Sequence, residues 1–274
     1  MAATMLAARR VEKPWGRHDL WPGFANQPAG SAPVGEIWFE APTGEAADLL
    51  VKYLFTREKL SVQVHPDDAA AQAAGHRCGK DEAWVVLAAE PDATIALGTR
   101  APMDGAGLRA AALDGSIEAL LDWKRVKAGD VFYSPARTVH AIGAGVTLVE
   151  VQQNLDLTYR LYDYGRPRPL HLDEAVAVAD ARPFVALPAP GAVGSGRDIL
   201  VQGPKFVLER LGGGARHFSV PLGLSAWLVP LAGEGFADHT PWRAGQCLML
   251  SGEVALLASA HSDLLLAYPG DKRM

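Results

Sequence analysis

Short strand-like runs separated by turn residues dominate the first part of this sequence. Each run is rich in β-branched or aromatic residues and is bounded by Gly, Pro or Asp. Such runs are typical of an antiparallel sandwich or barrel, so the chain is predicted to be mainly β. The predicted strands are Glu36–Ala41, Leu49–Leu54, Leu60–Val64, Ala83–Leu87, Thr94–Leu97, Val131–Ser134, Val146–Gln152 and Thr158–Tyr162.

Helical patterns are few. Pro66 and two acidic residues mark the start of a short helix, predicted over Asp67–Ala74. The leucines and the isoleucine of Gly107–Leu121 recur with roughly helical spacing, which predicts one or two helices there. A third short helix is predicted over His171–Ala179. The fold class is therefore a β-structure with a few helices attached.

A stretch rich in Pro, Gly and Ser, Arg182–Gly196, is predicted to be a linker. It separates residues 1–181 from residues 197–274. More strand-like sequence follows it, from Ile199 to Tyr268, which predicts a second β-domain.

The second half looks like a weakened copy of the first. Residues 226–230 read Ala-Trp-Leu-Val-Pro, and residues 83–87 read Ala-Trp-Val-Val-Leu. In this alignment Ser225 stands opposite Glu82. If the two halves arose by duplication, only the first kept its polar side chains.

Composition excludes several classes of protein. The formal net charge of −5 argues against a nucleic-acid-binding surface, which would show a basic stripe. No stretch approaches the roughly 20 apolar residues of a membrane span, and Met1–Arg10 lacks the pattern of a signal peptide. Only Cys78 and Cys247 are present, which fits a reducing cytoplasm. The oligomeric state cannot be read from the sequence.

The segment from Ser61 to Asp68 carries the strongest chemical signal. Residues two apart in a strand point to the same face, so Gln63 and His65 are expected to project together. Glu82 and His140 each lie in another strand-like stretch. Any one of these side chains alone would more often be an ordinary packing or surface residue. Together, two imidazoles, a carboxylate and an amide oxygen form a ligand set that suits zinc.

The ligand set limits the choice of metal without fixing it. It contains no thiolate, so copper(I) and iron–sulfur clusters match poorly. Iron(II), manganese, cobalt and nickel remain open, because residue spacing does not select among them.

A second polar segment, Glu150–Asp163, follows an apolar run. Within it Arg160 could steady an anionic oxygen or a phosphate through its fixed fork of donors. The alternative is a structural ion pair between Arg160 and Asp156 or Asp163. Upstream, Lys80 stands two residues before Glu82. Its side chain would lie on the same face as that of Glu82 if the strand that contains Glu82 begins early enough to include Lys80.

With these residues in place, the chain resembles the type I mannose-6-phosphate isomerases in their short bacterial form. The resemblance covers about the first 170 residues in order. Its most specific pieces are Ser-Val-Gln-Val-His-Pro-Asp-Asp and Thr-Tyr-Arg-Leu-Tyr-Asp. The matching segments are Lys13–Gly16, Gly35–Trp38, Leu60–Asp68, Gly79–Trp84, Gly129–Gly143 and Glu150–Asp163.

The resemblance implies a cupin-type antiparallel β-barrel or jelly roll over residues 1–181, with residues 197–274 as a degenerate cupin-like β-domain. It also implies one zinc ion per chain and interconversion of mannose 6-phosphate with fructose 6-phosphate. The metal ligands of the family fall on Gln63, His65, Glu82 and His140. Its catalytic arginine falls on Arg160, and its neighbouring active-site residues fall on Lys80, Glu150 and Asp156.

Two alternative functions remain open at this stage. Without Gln63, the ligands form a two-histidine, one-carboxylate set, which is typical of iron(II) oxygenases. A non-catalytic sugar-binding module is the other alternative. The proton-transferring base of an isomerase is also open, with Glu150, Asp156 and a metal-bound water as candidates.

Overall fold

The computed structural model describes residues 2–20, 24–28, 30–42, 47–187, 196–271 and 274. The first half forms two antiparallel sheets, and every predicted strand is present with small shifts at its ends. The central sheet has the strand order β2-β3-β4-β11-β6-β9. Its strands are β2 (Ala7–Arg17), β3 (Val34–Glu40), β4 (Leu49–Phe55), β6 (Glu82–Ala89), β9 (Val131–Ser134) and β11 (Val146–Gln153).

The second sheet of this half is called the site sheet, and it has the order β12-β5-β10-β7-β8. Its pairs are antiparallel, as in the central sheet. Apolar side chains from both sheets share one core cluster, so the sheets face each other. The strands are β5 (Val62–Val64), β7 (Thr94–Thr99), β8 (Leu121–Arg125), β10 (His140–Ile142) and β12 (Tyr159–Tyr162).

The central sheet is covered on both faces. One face packs against the site sheet, and the other packs against strands of the C-terminal half. Consequently every residue of β4 and of β11 is buried. Strands buried on both faces are continuously apolar rather than alternating, which explains the run Leu-Leu-Val-Lys-Tyr-Leu-Phe in β4.

The helices occur where the sequence predicts them. Gly107–Leu121, predicted to form one or two helices, contains residues of two helices. They are separated at Gly115, which has a φ of 81°. Asp67 caps the first helix, because its side chain accepts a hydrogen bond from the Ala70 amide. The helices are α1 (Asp68–Ala73), α2 (Gly105–Asp114), α3 (Ile117–Leu120) and α4 (Leu172–Val178).

The C-terminal half forms an antiparallel sheet of its own. The first strand of the chain, β1 (Ala3–Met5), pairs with β18 in this sheet, so the N-terminus joins the two halves. The strands are β13 (Arg197–Gln202), β14 (Phe206–Val220), β15 (Ala226–Ala232), β16 (Glu234–Ala237), β17 (Thr240–Arg243), β18 (Leu248–Leu250) and β19 (Gly252–Pro269).

The mainly β fold predicted from the sequence is confirmed. The boundaries of the two domains stay a prediction. Residues 188–195 of the predicted linker lie outside the described residues, and residues 182–187 are in neither a helix nor a named strand. None of the helices in the described part of the chain is long and apolar enough to cross a membrane.

The sequence does not predict strand β2, because its residues neither alternate in polarity nor form an apolar run. It contains Ala-Ala-Arg-Arg-Val-Glu-Lys and stands at the edge of the central sheet. Charged residues are common on edge strands, where they oppose pairing with other chains. The pairing of β2 with β3 extends from Ala7 to Arg17, with shifts in register on the way.

Candidate metal centre and the adjoining pocket

The register of the site sheet brings together residues that are distant in the sequence. Gln63 on β5 lies opposite His140 on β10 and, on its other side, opposite Arg160 on β12. Directly opposite residues in antiparallel strands have neighbouring side chains on one face. Three predicted site residues therefore stand side by side, and Glu82 approaches them from the facing central sheet.

A compact cluster lies between the two sheets. One candidate ligand atom from each of His65, Glu82 and His140 lies within 4.8 Å of the others. Nε2 of His65 is 3.2 Å from Oε1 of Glu82, and Nε2 of His140 is 3.5 Å from Oε2. The amide of Gln63 contacts the same group, since its Nε2 is 3.2 Å from Nε2 of His140. The four residues predicted to be metal ligands are thus neighbours.

The other ring nitrogen of each histidine is held by the backbone. Nδ1 of His65 is 2.9 Å from the Leu157 carbonyl oxygen, and Nδ1 of His140 is 2.9 Å from that of Thr138. Each Nδ1–H can donate to its carbonyl, which leaves the lone pair of Nε2 facing Glu82. Metal-binding histidines are commonly oriented by this kind of contact.

Burial and charge favour the protonation states that a metal requires. Burial lowers the pKa of His65 to about 3, and burial also lowers the pKa of His140. Burial alone would raise the pKa of Glu82, but Lys80 and then His65 outweigh it and hold this pKa well below its ordinary value. Both imidazoles are therefore neutral and the carboxylate is ionised, as in metal binding.

Glu82 provides the structural test of whether a metal fits. Both carboxylate oxygens are buried, and among the described residues neither accepts a hydrogen bond of good geometry. Lys80 Nζ lies 2.7 Å from Oε1 and 3.2 Å from Nε2 of His65. Lys80 pairs with Oε1 alone, and a buried carboxylate oxygen that accepts no hydrogen bond is costly. A divalent cation with nitrogen and oxygen ligands would satisfy it, so the residues present fit a metal such as zinc.

Gly79 explains how Lys80 comes so close to His65. A Cβ atom on Gly79 would lie 2.5 Å from the carbonyl carbon of Asp67, so only glycine allows this approach. The Lys80 amide then donates to the Pro66 carbonyl oxygen over 3.0 Å. The loop before β6 is thereby fixed against the segment that carries His65.

A row of polar and aromatic side chains crosses the central sheet beside this cluster. Its members lie directly opposite one another on successive strands, in the order Arg9, Trp38, Lys52, Glu150 and Trp84. Lys52 Nζ lies 3.3 Å from Glu150 Oε1 and 4.3 Å from the centroid of the Trp38 ring. Trp84 Nε1–H donates to Glu150 Oε2 over 3.1 Å. Both oxygens of Glu150 are thus engaged.

Lys52 is a site residue that the sequence analysis missed. It is only 4% exposed although it carries a charge. A lone lysine within an otherwise apolar strand is the signal that could have found it, because such a residue must be paired if it is buried.

The motifs around Lys13 and Glu36 lie at the same pocket. Lys13 Nζ is 3.4 Å from Glu36 Oε1, and Trp38 Nε1–H donates to the other oxygen of Glu36. A Cβ atom on Gly35 would lie 2.5 Å from Cβ of Lys13, which requires glycine at this contact. From the sequence alone these motifs supported the family resemblance, and neither Lys13 nor Glu36 had a predicted role.

These groups line one pocket that opens beside the metal cluster. All four residues predicted to be catalytic line it, together with Gln63. It holds five cationic and three anionic side chains, although the whole chain is acidic. The charged lining residues are Lys13, Lys52, Lys80, Arg160, Arg168, Glu36, Glu150 and Asp156.

Among the described residues, Arg160 forms neither of the structural ion pairs that the sequence left open, with Asp156 or with Asp163. Asp163 binds two other arginines, with distances of 3.0 Å to Arg166 and 2.6 Å to Arg168. Nε of Arg160 donates instead to the Pro169 carbonyl oxygen over 3.1 Å. Burial, and then the charge of Arg168, lowers the pKa of Arg160, which remains a cation at neutral pH.

His171 holds the backbone of Arg160 through two hydrogen bonds. The His171 amide donates to the Arg160 carbonyl oxygen over 2.8 Å, and the Arg160 amide donates to His171 Nδ1 over 3.2 Å. The sequence analysis gave His171 no role beyond its place in a predicted helix. The structure shows that it fixes the backbone of the arginine strand.

Replacing Lys52 with methionine is expected to lower the free energy of unfolding by about 3–5 kcal/mol, because it leaves the buried Glu150 without its cation. Urea denaturation measures this loss. The matched control is Arg125→Met, which breaks the exposed pair with Asp92 and should cost less than about 1 kcal/mol. Adding Glu150→Gln to Lys52→Met should recover part of the stability. Equal losses for the buried and exposed pairs would contradict this account.

None of the protein-family models matches the chain. Over 170 residues, however, it is 40% identical to the mannose-6-phosphate isomerase of Streptococcus mutans. That match covers 59% of this chain and 54% of the relative. It is 39% identical over 160 residues to mannose-6-phosphate isomerase ManA of Bacillus subtilis, which covers 54% of this chain and 50% of the relative. The chain therefore spans about half the length of the curated relatives it matches.

Solved structures extend the likeness to both halves. The crystal structure of a Bacillus subtilis mannose 6-phosphate isomerase superposes with a TM-score of 0.82 at 25% identity, over 97% of this chain and 99% of that one. This chain resembles the mannose-6-phosphate isomerases in sequence and in fold. The resemblance predicted from the motifs is thus confirmed, as is the cupin-type fold class.

A more distant structure shares the fold alone. A putative mannosephosphate isomerase from Archaeoglobus fulgidus superposes with a TM-score of 0.75 at 18% identity, over 98% of this chain and 97% of that one. The agreement in fold therefore persists where the sequences have largely diverged.

Proposed function

We propose that this protein interconverts mannose 6-phosphate and fructose 6-phosphate, with one zinc ion held by Gln63, His65, Glu82 and His140. The observation that carries the proposal is that Gln63 and Lys80, which contact the His–Glu–His cluster, line the same pocket as Arg160. The identity of 40% to a curated isomerase, over a segment of 170 residues, supports the same reaction.

The reaction moves a proton between adjacent sugar carbons and passes through an enediolate with negative charge on oxygen. A bound zinc ion would supply Lewis-acid polarisation of the sugar oxygens. Arg160 contributes a cation that stabilises the developing charge, because its guanidinium lines the pocket and is not paired with Asp163. His171 keeps the Arg160 backbone in place during this step.

Glu150 and Asp156 are the proposed proton-transfer groups, and their settings differ. Glu150 is buried, with one oxygen beside Lys52 and the other bound by Trp84. Asp156 is exposed at the pocket. Glu150 is therefore rigid and oriented, whereas Asp156 is free to adjust to a bound sugar. A comparison of Glu150→Gln with Asp156→Asn, each at full metal occupancy, would identify the residue that transfers the proton.

The charge of the pocket supports a phosphorylated substrate. Four of the five lining cations are paired with a carboxylate, whereas Arg160 has no such partner among the described residues, so its guanidinium can attract an anion even though the chain as a whole is acidic. The guanidinium of Arg168 is close enough to lower the pKa of Arg160. A phosphate bound between the guanidinium groups of Arg160 and Arg168 would relieve their repulsion. One guanidinium can donate two parallel hydrogen bonds to phosphate oxygens.

Chelation of the metal is expected to abolish isomerisation, and added zinc is expected to restore it. A coupled assay would supply mannose 6-phosphate and measure fructose 6-phosphate, before and after treatment with a chelator. Mannose without the phosphate is the matched control substrate, and we expect it to react far more slowly because the cationic pocket then gains no anion. Full activity in the metal-free protein would exclude the proposed role of the metal.

The two alternative functions give different results in the same experiments. An iron oxygenase would consume oxygen when loaded with iron(II) and would leave the sugar phosphate unchanged. A sugar-binding module would bind the sugar phosphate at full metal occupancy without converting it. The isomerase proposal requires fructose 6-phosphate to appear.

We further propose a cytoplasmic location. Cys78 and Cys247 are both free thiols, and Cys247 is fully buried. A protein without disulfides fits a reducing compartment.

A further inference from the structure

One turn of the C-terminal half is connected to the loop that carries Glu82 through two intervening side chains. We call residues 203–206, which lead from β13 into the first residue of β14, the docking turn, and residues 79–82, which end in Glu82, the metal loop. Gly203 and Lys205 of the docking turn each touch a side chain that is hydrogen-bonded to the metal loop. The docking turn is itself held in place, because the Gly270 amide donates to the Lys205 carbonyl oxygen over 2.9 Å.

The first connection passes through Asp68. Lys205 Nζ donates to Asp68 Oδ2 over 2.6 Å. The other oxygen of Asp68 accepts from the Gly79 amide over 2.7 Å and from Gln153 Nε2 over 3.0 Å. One carboxylate thus ties the docking turn to the first residue of the metal loop.

Gln153 continues this connection to the middle of the metal loop. Its side-chain oxygen accepts from the Asp81 amide over 3.0 Å, and the backbone amide of Gln153 donates to the Asp81 carbonyl oxygen over 3.0 Å. Both backbone groups of Asp81 are therefore fixed by Gln153. Asp81 lies between Lys80 and Glu82, so its backbone sets where these two side chains start.

The second connection passes through Tyr133. A Cβ atom on Gly203 would lie 2.7 Å from carbon atoms of the Tyr133 ring, so the two residues are in close contact. The ring of Phe206 packs on the same tyrosine, with 5.6 Å between the centroids. The Tyr133 hydroxyl donates to Oδ2 of Asp81, and the Ala136 amide donates to Oδ1 over 3.0 Å. The Asp81 side chain is thereby held by Tyr133, whose ring packs against Gly203 and Phe206 of the C-terminal half.

We propose that the docking turn positions the metal loop, and that the C-terminal half sets the metal affinity although it supplies none of the proposed ligands. Gly203 acts through Tyr133 on the Asp81 side chain, and Lys205 acts through Asp68 on the Gly79 amide. Because Glu82 directly follows Asp81, its carboxylate is aimed at His65 and His140 by both connections. The inference rests on the metal site of the proposed function. It assigns positioning roles to Gly203, Lys205 and Tyr133.

The test compares two glycine-to-alanine variants. Gly203→Ala is expected to push the Tyr133 ring aside and to raise the dissociation constant for Zn²⁺ by about 10-fold or more, as for other groups that orient metal ligands. Gly212→Ala is the matched control, because a Cβ atom there meets no atom within 4 Å. Neither glycine has a positive φ, so alanine strains neither backbone. Competition with a chromogenic chelator measures the affinity, and the visible spectrum of the Co²⁺-loaded protein reports the ligand geometry.

Further variants separate positioning from a general loss of stability. Tyr133→Phe removes only the hydroxyl, and it should weaken Zn²⁺ binding by itself. If Gly203 acts through that hydroxyl, adding Gly203→Ala to Tyr133→Phe should cause little further loss. Lys205→Met should weaken binding through the other connection, and Lys205→Arg should restore it.

Three results would overturn the inference. The first is unchanged Zn²⁺ affinity in Gly203→Ala and Lys205→Met. The second is an equal loss in Gly212→Ala. The third is an undiminished effect of Gly203→Ala in the Tyr133→Phe background. If Gly203→Ala does not fold, Tyr133→Phe and Lys205→Met decide the matter, because each only trims a side chain. Failure of the proposed function looks different, since the unmodified protein would then bind no Zn²⁺, or would bind it without forming fructose 6-phosphate, whatever the Zn²⁺ affinities of the variants.

Discussion

Replacing His140 with alanine is expected to abolish zinc binding at the proposed site and, with it, nearly all of the proposed isomerase activity. His140 is fully buried, its Nδ1 is held by the Thr138 carbonyl, and its Nε2 faces Glu82. Loss of one of the four proposed ligands leaves an incomplete shell, and among the described residues His65 is the only other imidazole in the cluster. Metal content per chain, measured after dialysis, should fall from one to near zero.

Two measurements make the result for His140 specific. His76→Ala is the matched control, because His76 is exposed and lies outside the cluster. It should keep both metal and activity. Circular dichroism should show that His140→Ala is still folded, since most of the core lies away from the ligand. Unchanged zinc content in folded His140→Ala would remove this residue from the proposed shell.

Replacing Arg160 with alanine is expected to lower kcat by about 100-fold or more while the metal stays bound, which is the usual cost of losing a preorganised charge-stabilising group. Arg160 lines the pocket, and in the part of the chain that the structure describes its side chain has no hydrogen bond or ion pair with the His–Glu–His cluster. Its removal should therefore leave the ligands intact. Steady-state kinetics and metal analysis on the same preparation measure both effects.

The kinetic pattern also shows what Arg160 contacts. A fall in kcat at constant KM indicates a contact made in the transition state, whereas a rise in KM indicates a contact with the ground-state phosphate. Arg182→Ala is the control, because Arg182 is an exposed arginine paired with Asp180. Its kinetics should be unchanged. Normal turnover by metal-loaded Arg160→Ala would end the assignment of Arg160 to catalysis.

Local patterns in the sequence were sufficient for much of the fold. The predicted strands are all present, because β-branched runs and their turn residues act over a few neighbours. The two-residue period of a strand was also enough to place Gln63 and His65 on one face. The edge strand β2 was missed, since its charges reflect exposure at a sheet edge and not a strand pattern.

The cross-sheet contacts of the site could not be predicted in the same way. Lys52 pairs with Glu150 and lies over Trp38 because three strands align in register. Lys13 meets Glu36 because β2 comes close to β3 at Gly35, where a Cβ atom would clash with Lys13. No local pattern encodes these partners, since register depends on how whole strands pack.

The sequence by itself determined the strands, the mainly β class and the identity of the side chains able to bind a metal. Only the tertiary structure decided that Glu82 reaches two histidines from a facing sheet, and that Gly203 and Lys205 contact Tyr133 and Asp68, which are hydrogen-bonded to the metal loop. The physical reason is the distance along the chain over which each kind of interaction acts. Backbone preferences act between neighbours in the chain, whereas a metal site and its supports are assembled by packing between segments far apart in sequence.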